Sequence, residues 1–314
     1  MPMVHLALPM AVRWRVMTAS SAGRFDAERA SVAAALERIA DRAAQSLDPR
    51  IAEAVRYALT GAGKRLRPVL LMTSYRACGG AGDASLLAAA VEVVHAYSLV
   101  HDDLPCMDDD DVRRGRPTVH KQHGVAAATA AGVAMVPLAA HAAAEGARAL
   151  GLDATAQGDI VRTLMQASGA SGMIGGQLLD LRAEGQSLDA TALEQVHRLK
   201  TGALISAAVR IGARAANADV PTMDALARFG DAVGLAFQIA DDVLDVTATT
   251  SQLGKTAGKD AVHGKSTYPA VLGLEAAQAR AQTLADEACA ALPGAGIHSP
   301  DLIYLARFAV ARPS

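Results

Sequence analysis

The amino-acid sequence predicts an all-α protein, and three observations support this fold class. Alanine-rich runs recur, for example at 86–94 and 124–135, and alanine and leucine have the highest helix propensities. Aromatic residues make up only 3% of the 314 residues. β-branched runs of strand length bounded by turn residues are few. No linker or charge run marks a boundary, so we expect one helical domain at 26–314 after a disordered N-terminal extension at 1–25.

Apolar residues at helical spacing place the helices along the chain. They predict helices at 26–45, 49–59, about 68–78, 84–101, 120–150, 155–181, 191–216 and 222–246, with a last group towards the C-terminus. Pro68 fits the first turn of its helix, where the missing amide donor does no harm. The helix at 84–101 brings Asp102 and Asp103 to its end.

Composition excludes several classes of function. With 30 basic and 32 acidic residues the net charge is -2, which gives no support to nucleic-acid binding. Three separated cysteines form no disulfide framework or metal-ligand spacing, and this suits a reducing cytoplasm. No apolar stretch reaches the ~18 residues of a membrane span, because the longest candidate, 125–140, contains Gly132 and Pro137. We therefore expect a cytoplasmic protein without a membrane span.

Residues 1–16 mix apolar residues with Arg13 and Arg15. A short targeting segment is one interpretation, but the arginines follow the apolar run, the reverse of a signal peptide. Translation beginning at Met17 is another, which would make the preceding residues a misassigned extension. We expect a disordered or spurious extension rather than a targeting segment.

The first acidic cluster contains Asp102, Asp103 and the run 108–111. Six carboxylates within ten residues repel one another unless positive charge lies among them, and hard divalent cations such as magnesium prefer oxygen ligands. A solvated acidic loop is the simpler interpretation. The apolar helix that precedes Asp102 argues against it, because that helix should be buried.

The second cluster contains Asp241, Asp242 and Asp245. Asp241 and Asp245 are four residues apart, so they project from one face of a helix, where two like charges destabilise it. A solvated acidic face is again the alternative, but the flanking residues are mostly apolar. The spacing indicates carboxylates that line an internal cavity, and two such clusters would hold a polyphosphate through metal ions.

Basic residues adjoin both clusters. They are Lys64, Arg65, Arg67, Arg113, Arg114, Arg116, Lys200, Lys255, Lys259 and Lys265. Arginine grips phosphate oxygens with two donors, and lysine acts as a mobile point charge. Any one of them is as readily explained by surface ion pairing. His95 lies two helical turns before Asp102 on the same face, so core packing and substrate contact are both open for it.

These segments together resemble the trans-prenyl diphosphate synthases, and most closely the bacterial farnesyl diphosphate synthase type. The matching segments are GKRLRP (63–68), VEVVHAYSLVHDDLPCMDDDDVRRGRPTVH (91–120), SGMIGGQLLDL (171–181), HRLKTGALI (197–205), FQIADDVLD (237–245), LGKTAGKD and GKSTYPA (within 253–270). A DDxxD motif alone also occurs in terpene cyclases, but the ordered combination is specific. The resemblance covers the chain from about residue 30 onwards.

The resemblance implies an isoprenoid-synthase helical bundle around a central cavity, usually a homodimer, and a magnesium-dependent prenyltransferase with three expected ions around the bound diphosphate. It implies magnesium ligation by Asp102, Asp108 and Asp241, supported by Asp103, Asp242 and Asp245. It assigns the allylic diphosphate, dimethylallyl or geranyl, to Arg113, Lys200, Thr201, Gln238, Lys255 and Lys265. It assigns isopentenyl diphosphate to Lys64, Arg67, His95 and Arg114. Asp102, Asp103, Asp108, Lys200 and Asp241 form the implied catalytic set.

The implied reaction is a head-to-tail (1′-4) condensation whose most strongly indicated product is farnesyl diphosphate. Tyr97 and Ser98 lie about one helical turn before Asp102, and the bulky Tyr97 would stop the growing chain there. If Tyr97 merely packs, a floor elsewhere permits geranylgeranyl diphosphate.

Two departures from the family pattern affect this expectation. Val133 follows Gly132 where the family usually has an acidic residue, and His123 replaces a common aromatic residue. Both could alter helix packing or cavity shape. A terpene cyclase normally lacks the second DDxxD and the GKRLRP segment. A non-catalytic partner subunit would typically have lost aspartates from one cluster, and a purely structural helical protein leaves the stacked carboxylates unexplained.

Overall fold

The computed structural model describes residues 23–247 and 265–311. Within these ranges the chain is built from α-helices and one short antiparallel hairpin, Val112–Arg113 (β1) with Arg116–Pro117 (β2). The predicted all-α class is therefore confirmed. Over the described residues the first helix begins at Asp26. Most of the predicted extension, 1–22, lies outside the described residues, so the predicted division at residue 26 stays a prediction.

The helices follow one another with short connections. The first half of the chain contains α1 (Asp26–Ser46), α2 (Pro49–Leu59), α3 (Leu66–Ala77), α4 (Ser85–Asp102), α5 (Val119–His123), α6 (Val125–Ala149) and α7 (Ala154–Ser168). The second half contains α8 (Met173–Arg182), α9 (Ala190–His197), a π-helical turn (Arg198–Gly202), α10 (Ala203–Ala215), α11 (Val220–Thr247), α12 (Tyr268–Leu272), α13 (Leu274–Ala291), a 3₁₀ turn (Pro293–Ala295) and α14 (Pro300–Ala311).

Aspartate caps fix the beginnings of several helices. The side chain of Asp48 accepts from the Arg50 amide at 3.0 Å, and Pro49 occupies the first turn of α2. Asp153 and Asp189 cap α7 and α9 in the same way, at 2.7 Å and 2.8 Å. Such caps satisfy amide donors that have no partner within the helix. They explain why these boundaries follow directly from the local sequence.

Two predicted helices are interrupted. The region 120–150 divides into α5 and α6 at Gly124, whose φ of +85° a side chain would disfavour. The region 155–181 divides into α7 and α8 across 169–172. The predicted helix 191–216 is helical throughout but contains the π-helical turn, which shifts the residues it carries relative to a regular helix.

The core is a set of apolar helix contacts centred on α10. α10 packs against α3, α7 and α11. Gly212 permits its closest approach, because a Cβ there would lie 2.3 Å from the carbonyl oxygen of Leu71 on α3. One large cluster joins α1, α2, α4, α6 and α7, and a second joins α3, α11, α13 and α14. These contacts hold the ends of α4 and α11 in fixed positions.

α6 continues beyond the predicted apolar stretch. Over the described residues it is the single helix long and apolar enough, by length and composition, to cross a membrane. It contains Pro137 and packs on α4, where a Cβ on Gly146 would meet the Leu87 backbone at 2.8 Å. This packing is compatible with a core helix of a soluble protein, although Val125 and Val133 on its outer face are 49% and 62% exposed.

Candidate active site

The first acidic cluster lies where α4 ends. The amide of Asp108 donates to the Asp102 carbonyl at 2.8 Å, which closes the loop between the two residues. Asp103 is only 2% exposed, and its carboxylate accepts from Nε of Arg113 at 2.7 Å. The loop thus brings Asp102 and Asp108 together and commits Asp103 to holding Arg113.

The environment of Asp102 disfavours its charge. Burial is the largest cause and raises its pKa, the neighbouring Asp108 and Asp103 also raise it, and Lys200 and Arg113 lower it, so that the pKa lies at about 6 overall. A carboxylate that is costly to ionise gains most from a bound cation. Oxygen donors are the ligands that magnesium prefers, so the chemistry of this group fits that ion.

The second acidic cluster lies on the last turns of α11. Asp241 lines a cavity together with Asp102. Asp242 is 3% exposed and turned into the protein, where Oδ2 lies 2.9 Å from Nε2 of His197 and accepts the Tyr268 amide at 3.0 Å. Asp245 is also buried, and its Oδ1 has no hydrogen-bond partner among the described residues.

Two lysines meet at Asp180, and one of them also contacts the first cluster. Nζ of Lys200 lies 2.6 Å from Oδ2 of Asp180, and Nζ of Lys265 lies 3.3 Å from both Asp180 and Asp108. Burial lowers the pKa of Lys265, but the two carboxylates outweigh it and raise that pKa. Burial likewise raises the pKa of Asp180, and the lysines lower it overall. Lys265 and Asp180 are therefore both charged.

The π-helical turn presents Lys200 and Thr201 to α11. The Thr201 hydroxyl donates to Oε1 of Gln238 at 2.7 Å, and Nε2 of Gln238 donates to Asp242 at 3.1 Å. α8 approaches this turn closely, because a Cβ on Gly176 would lie 2.2 Å from the Lys200 amide nitrogen. The orientation of the Gln238 amide is thus fixed by hydrogen bonds from both sides.

We call the cavity between the clusters the acidic cavity. Its volume is about 290 Å³. Its lining residues are Arg67, His95, Ser98, Leu99, Asp102, Arg113, Arg114, Met173, Gln177, Lys200, Thr201, Phe237, Gln238 and Asp241. Asp102 and Asp241 of the six residues predicted for magnesium line this cavity, as do four of the six predicted for the allylic diphosphate, Arg113, Lys200, Thr201 and Gln238. Lys255 lies outside the described residues.

A second cavity, the basic cavity, adjoins the first and measures about 430 Å³. Its lining residues are Ala62, Gly63, Lys64, Arg65, Leu66, Arg67, Glu92, His95, Arg114, Phe237 and Phe308. All four residues predicted for isopentenyl diphosphate are among them. Loss of hydration on burial keeps the pKa of His95 well below its usual value, and nearby arginines, led by Arg67 and Arg114, lower it further. The imidazole is therefore neutral.

Tyr97 and Ser98 occupy different environments on α4. Ser98 lines the acidic cavity and donates to the His95 carbonyl at 2.9 Å. Tyr97 is 7% exposed, belongs to the core cluster with α6, and packs edge-to-face on His101 with ring centroids 5.1 Å apart. The position fits both a packing role and a floor below the cavity, so the predicted control of product length stays a prediction.

Asp109, Asp111 and His120 form another group that could hold a metal ion, because their ligand atoms lie within 4.8 Å of one another. His120 is not among the residues predicted from the sequence. The two aspartates are exposed and lie beyond Asp108 in the acidic run. This group shows an acidic surface beside the cavity and does not replace the predicted ligands.

Sequence reasoning missed three residues that hold the site. Asp180 lies between two lysines, although its segment 171–181 was singled out by resemblance. Glu92 is 2% exposed and paired with Arg65, and a lone acid inside the apolar helix 84–101 was the available signal. His197 begins the segment 197–205, also singled out by resemblance, but nothing in the sequence indicated its partner Asp242, 45 residues away in the chain.

The fold and cavities define a class of protein, an all-α enzyme that combines carboxylates suited to metal ions with cations suited to diphosphates. The model of the polyprenyl synthetase family matches residues 48–291. The chain belongs to the polyprenyl synthetase family, and it is a prenyltransferase.

Relatives of known function agree with this membership. The chain is 46% identical over 243 residues to the farnesyl diphosphate synthase of Escherichia coli (strain K12), covering 76% of this chain and 80% of that protein. It is 42% identical over 251 residues to geranylgeranyl pyrophosphate synthase 11 of Arabidopsis thaliana, covering 78% and 69%. The crystal structure of an FPP/GFPP synthase from Zymomonas mobilis superposes with a TM-score of 0.76 at 34% identity, covering 96% and 100%.

Proposed function

We propose that this chain condenses isopentenyl diphosphate head to tail (1′-4) with dimethylallyl or geranyl diphosphate, and that farnesyl diphosphate is the product. The observation that carries this proposal is the adjacency of the acidic and basic cavities. They share Arg67, His95, Arg114 and Phe237 in their linings. Two diphosphates held side by side would place their hydrocarbon parts in contact.

The acidic cavity suits the allylic diphosphate. Asp102, Asp108 and Asp241 would hold magnesium, proposed as three ions, which neutralises the departing pyrophosphate. Asp103 and Asp242 support the site through Arg113 and His197 rather than as ligands, since both carboxylates accept hydrogen bonds from the protein. Asp245, buried on α11 three residues after Asp242, is assigned the same supporting role.

Cations complete the allylic subsite. Lys265 contacts Asp108, and the charges of Lys200 and Arg113 act on Asp102, so positive charge lies next to two of the carboxylates that would carry the metal. Positive charge fixed in advance where negative charge develops lowers the barrier to breaking the allylic carbon–oxygen bond. Thr201 and Gln238 present oxygen atoms at the same wall, and the assignment extends to Lys255 by resemblance.

The basic cavity suits isopentenyl diphosphate. Lys64, Arg67 and Arg114 supply donors for its phosphates, and neutral His95 adds a further hydrogen-bonding group. The double bond of isopentenyl diphosphate supplies the electron pair for the new carbon–carbon bond as the allylic carbon–oxygen bond breaks. The released pyrophosphate keeps the electron pair of the broken carbon–oxygen bond. It then takes a proton from the carbon next to the cationic centre that the addition leaves in the isopentenyl unit.

A farnesyl product is supported by the 46% identical Escherichia coli relative and by the bulk of Tyr97 below Asp102. The 42% identical Arabidopsis relative favours geranylgeranyl diphosphate as the second candidate. The test is incubation with isopentenyl diphosphate, magnesium and dimethylallyl, geranyl or farnesyl diphosphate, followed by chain-length analysis. Product from farnesyl diphosphate would favour the second candidate, and no product from any allylic partner would show a non-catalytic chain.

We also propose that the protein is a cytoplasmic homodimer in which a second copy covers the outer face of α6. Val125, Val133 and Pro137 are exposed there at intervals of eight and four residues, which makes an apolar stripe along the helix. The departure at Val133 thus lies on a surface and not in the cavity. Light scattering of wild type and Val133→Asp tests this; a monomeric wild type would contradict it, whereas a dimer that the variant dissociates would support it.

A further inference from the structure

Arg65 has an unusual backbone and a buried side chain. It precedes α3 with φ 50° and ψ 37°, a left-handed conformation that is uncommon for a residue other than glycine. Its side chain is nonetheless directed inwards, and the residue is 9% exposed. A buried guanidinium in a disfavoured backbone conformation requires strong compensating contacts.

Those contacts join three parts of the fold. Nη1 of Arg65 lies 2.6 Å from Oε1 of Glu92 on α4, and Glu92 is only 2% exposed. Nη2 donates to the carbonyl of Leu59, the last residue of α2, at 3.1 Å. It also donates to the carbonyl of Gly61 at 2.6 Å. One guanidinium therefore ties the end of α2 and the loop 60–65 to α4.

Arg65 and Glu92 are each close in the chain to other residues that line the basic cavity. Lys64 adjoins Arg65 and Arg67 follows two residues later, while His95 lies one helical turn after Glu92. All five line the basic cavity. The Arg65–Glu92 pair thus fixes the distance between the loop that carries Lys64 and the helix that carries His95.

Glu92 has a second role, because it balances charge in the wall of the basic cavity. Among the described residues that line the basic cavity, Glu92 alone carries a carboxylate, against four cationic side chains. Arg65 already serves three acceptors, so it is committed to the protein, whereas Lys64 is more exposed. The negative charge of Glu92 therefore balances one of the four positive charges and reduces the repulsion among them.

We infer that Arg65 and Glu92 are positioning residues for the isopentenyl diphosphate subsite, holding Lys64, Arg67 and His95 at the spacing that the diphosphate requires. The inference rests on the proposed function. It assigns to the pair an effect mainly on isopentenyl diphosphate. Arg67 and His95 also line the acidic cavity, but that cavity takes its carboxylates from the ends of α4 and α11 and its lysine from the π-helical turn.

The test compares variants of the full chain. Glu92→Gln leaves an uncompensated buried Arg65 and risks unfolding, so the double variant Arg65→Met with Glu92→Leu replaces both charges by apolar side chains. Glu145→Gln is the matched control, because it breaks an ion pair with Arg42 between α1 and α6, away from both cavities. Thermal unfolding first shows which variants are folded.

Two measurements follow on the folded variants, isopentenyl diphosphate binding by calorimetry and steady-state KM for both substrates. Misplaced cations should weaken isopentenyl diphosphate binding and raise its KM by about tenfold or more, with the allylic KM within about twofold of wild type. The control should change neither. Equal increases in both KM values, or a lower unfolding temperature with unchanged isopentenyl diphosphate affinity, would overturn the inference.

The binding measurement separates this inference from the proposed function. A wild-type chain that binds isopentenyl diphosphate but forms no product would contradict the condensation and still allow the variants to be compared. A wild-type chain that binds no isopentenyl diphosphate would overturn both.

Discussion

The carboxylate of Asp242 lies 2.9 Å from Nε2 of His197, and this contact separates two neighbouring aspartates by role. Oδ2 of Asp242 also accepts the Tyr268 amide, and Oδ1 accepts the Gln238 side chain. Asp241, the preceding residue, lines the acidic cavity. The Asp242 carboxylate is therefore held by hydrogen bonds inside the protein, whereas Asp241 lines the cavity.

Alanine in place of Asp241 should lower catalytic activity, whereas alanine in place of Asp242 should lower stability. Asp241→Ala should lower kcat by about 100-fold or more, with little change in the free energy of unfolding. Asp242→Ala leaves His197 and the Tyr268 amide without their acceptor, so it should cost about 2–4 kcal/mol of stability. Urea unfolding and steady-state kinetics at saturating magnesium check both. An Asp242→Ala protein of wild-type stability would contradict the supporting role.

The sequence predicted the parts of this arrangement that depend on neighbours in the chain. The helix 49–59 has the predicted bounds because Asp48 and Pro49 define its start locally. Asp102 falls at a helix end as expected. The break at Gly124 was missed, because a glycine is tolerated within a helix as well as at its end.

The contacts that fix the site could not be predicted from the sequence, and the reason is physical. Asp180 meets Lys265 across 85 residues, and Arg65 meets Glu92 across 27. Such pairs depend on how helices pack, and a single sequence does not show which faces meet. What it does show is the anomaly, a charged residue within an apolar run, for which burial requires a partner.

Asp102 should make the metal-free protein less stable at neutral pH. Its folded pKa of about 6 exceeds the ordinary value of 3.8, so between these values the folded state binds more protons than the unfolded state. Stability therefore falls as pH rises through this window and stays lower above it. Asp102→Asn removes that cost and should stabilise the metal-free protein at pH 7.5 by about 1 kcal/mol, or roughly 2 °C.

The measurement is thermal unfolding in chelator and in magnesium, at pH 7.5 and pH 4.5. The advantage of Asp102→Asn in chelator should shrink at the lower pH, and magnesium should stabilise the wild type more than the variant. Turnover of the variant should be nearly abolished. A variant that is less stable than wild type in chelator at pH 7.5 would refute the assignment of a strained carboxylate.

His95 should make the protein sensitive to mild acid. Burial and nearby arginines hold its pKa well below the usual value, while the unfolded chain takes up a proton near pH 6.5. The folded state then binds fewer protons, so stability is lost as pH falls from 6.5 towards the folded pKa. His95→Gln does not titrate and should lose about 1 kcal/mol less than wild type between pH 7.5 and pH 5.5. Unfolding curves of both proteins at both pH values check this, and identical losses would show that His95 takes up its proton over the same pH range in the folded and unfolded states.

Asp180 should act on the allylic substrate through the lysines it holds. Asp180→Asn keeps the shape of the side chain but weakens the contacts with Lys200 and Lys265, so both ammonium groups lose their fixed positions. We expect the KM for the allylic diphosphate to rise by about tenfold, with the isopentenyl diphosphate KM within about twofold of wild type. Asp159→Asn, which weakens an ion pair with Arg214 on α10, is the control. A change in the isopentenyl diphosphate KM alone would place Asp180 in the other subsite.

Tyr97 provides the test of product length. Its ring lies in the core between α4 and α6, packed on His101 about one turn below Asp102. If the growing hydrocarbon chain descends along α4, Tyr97→Ala should open space for it, and longer products should appear when farnesyl diphosphate is supplied. Tyr97→Phe keeps the ring and should retain the wild-type product, which separates bulk from the hydroxyl group. Removing a buried ring also costs about 3–5 kcal/mol of stability. Chain length is therefore compared only between folded enzymes, by chromatography of the released alcohols.

An unchanged product from folded Tyr97→Ala would show that Tyr97 only packs and that the cavity floor lies elsewhere.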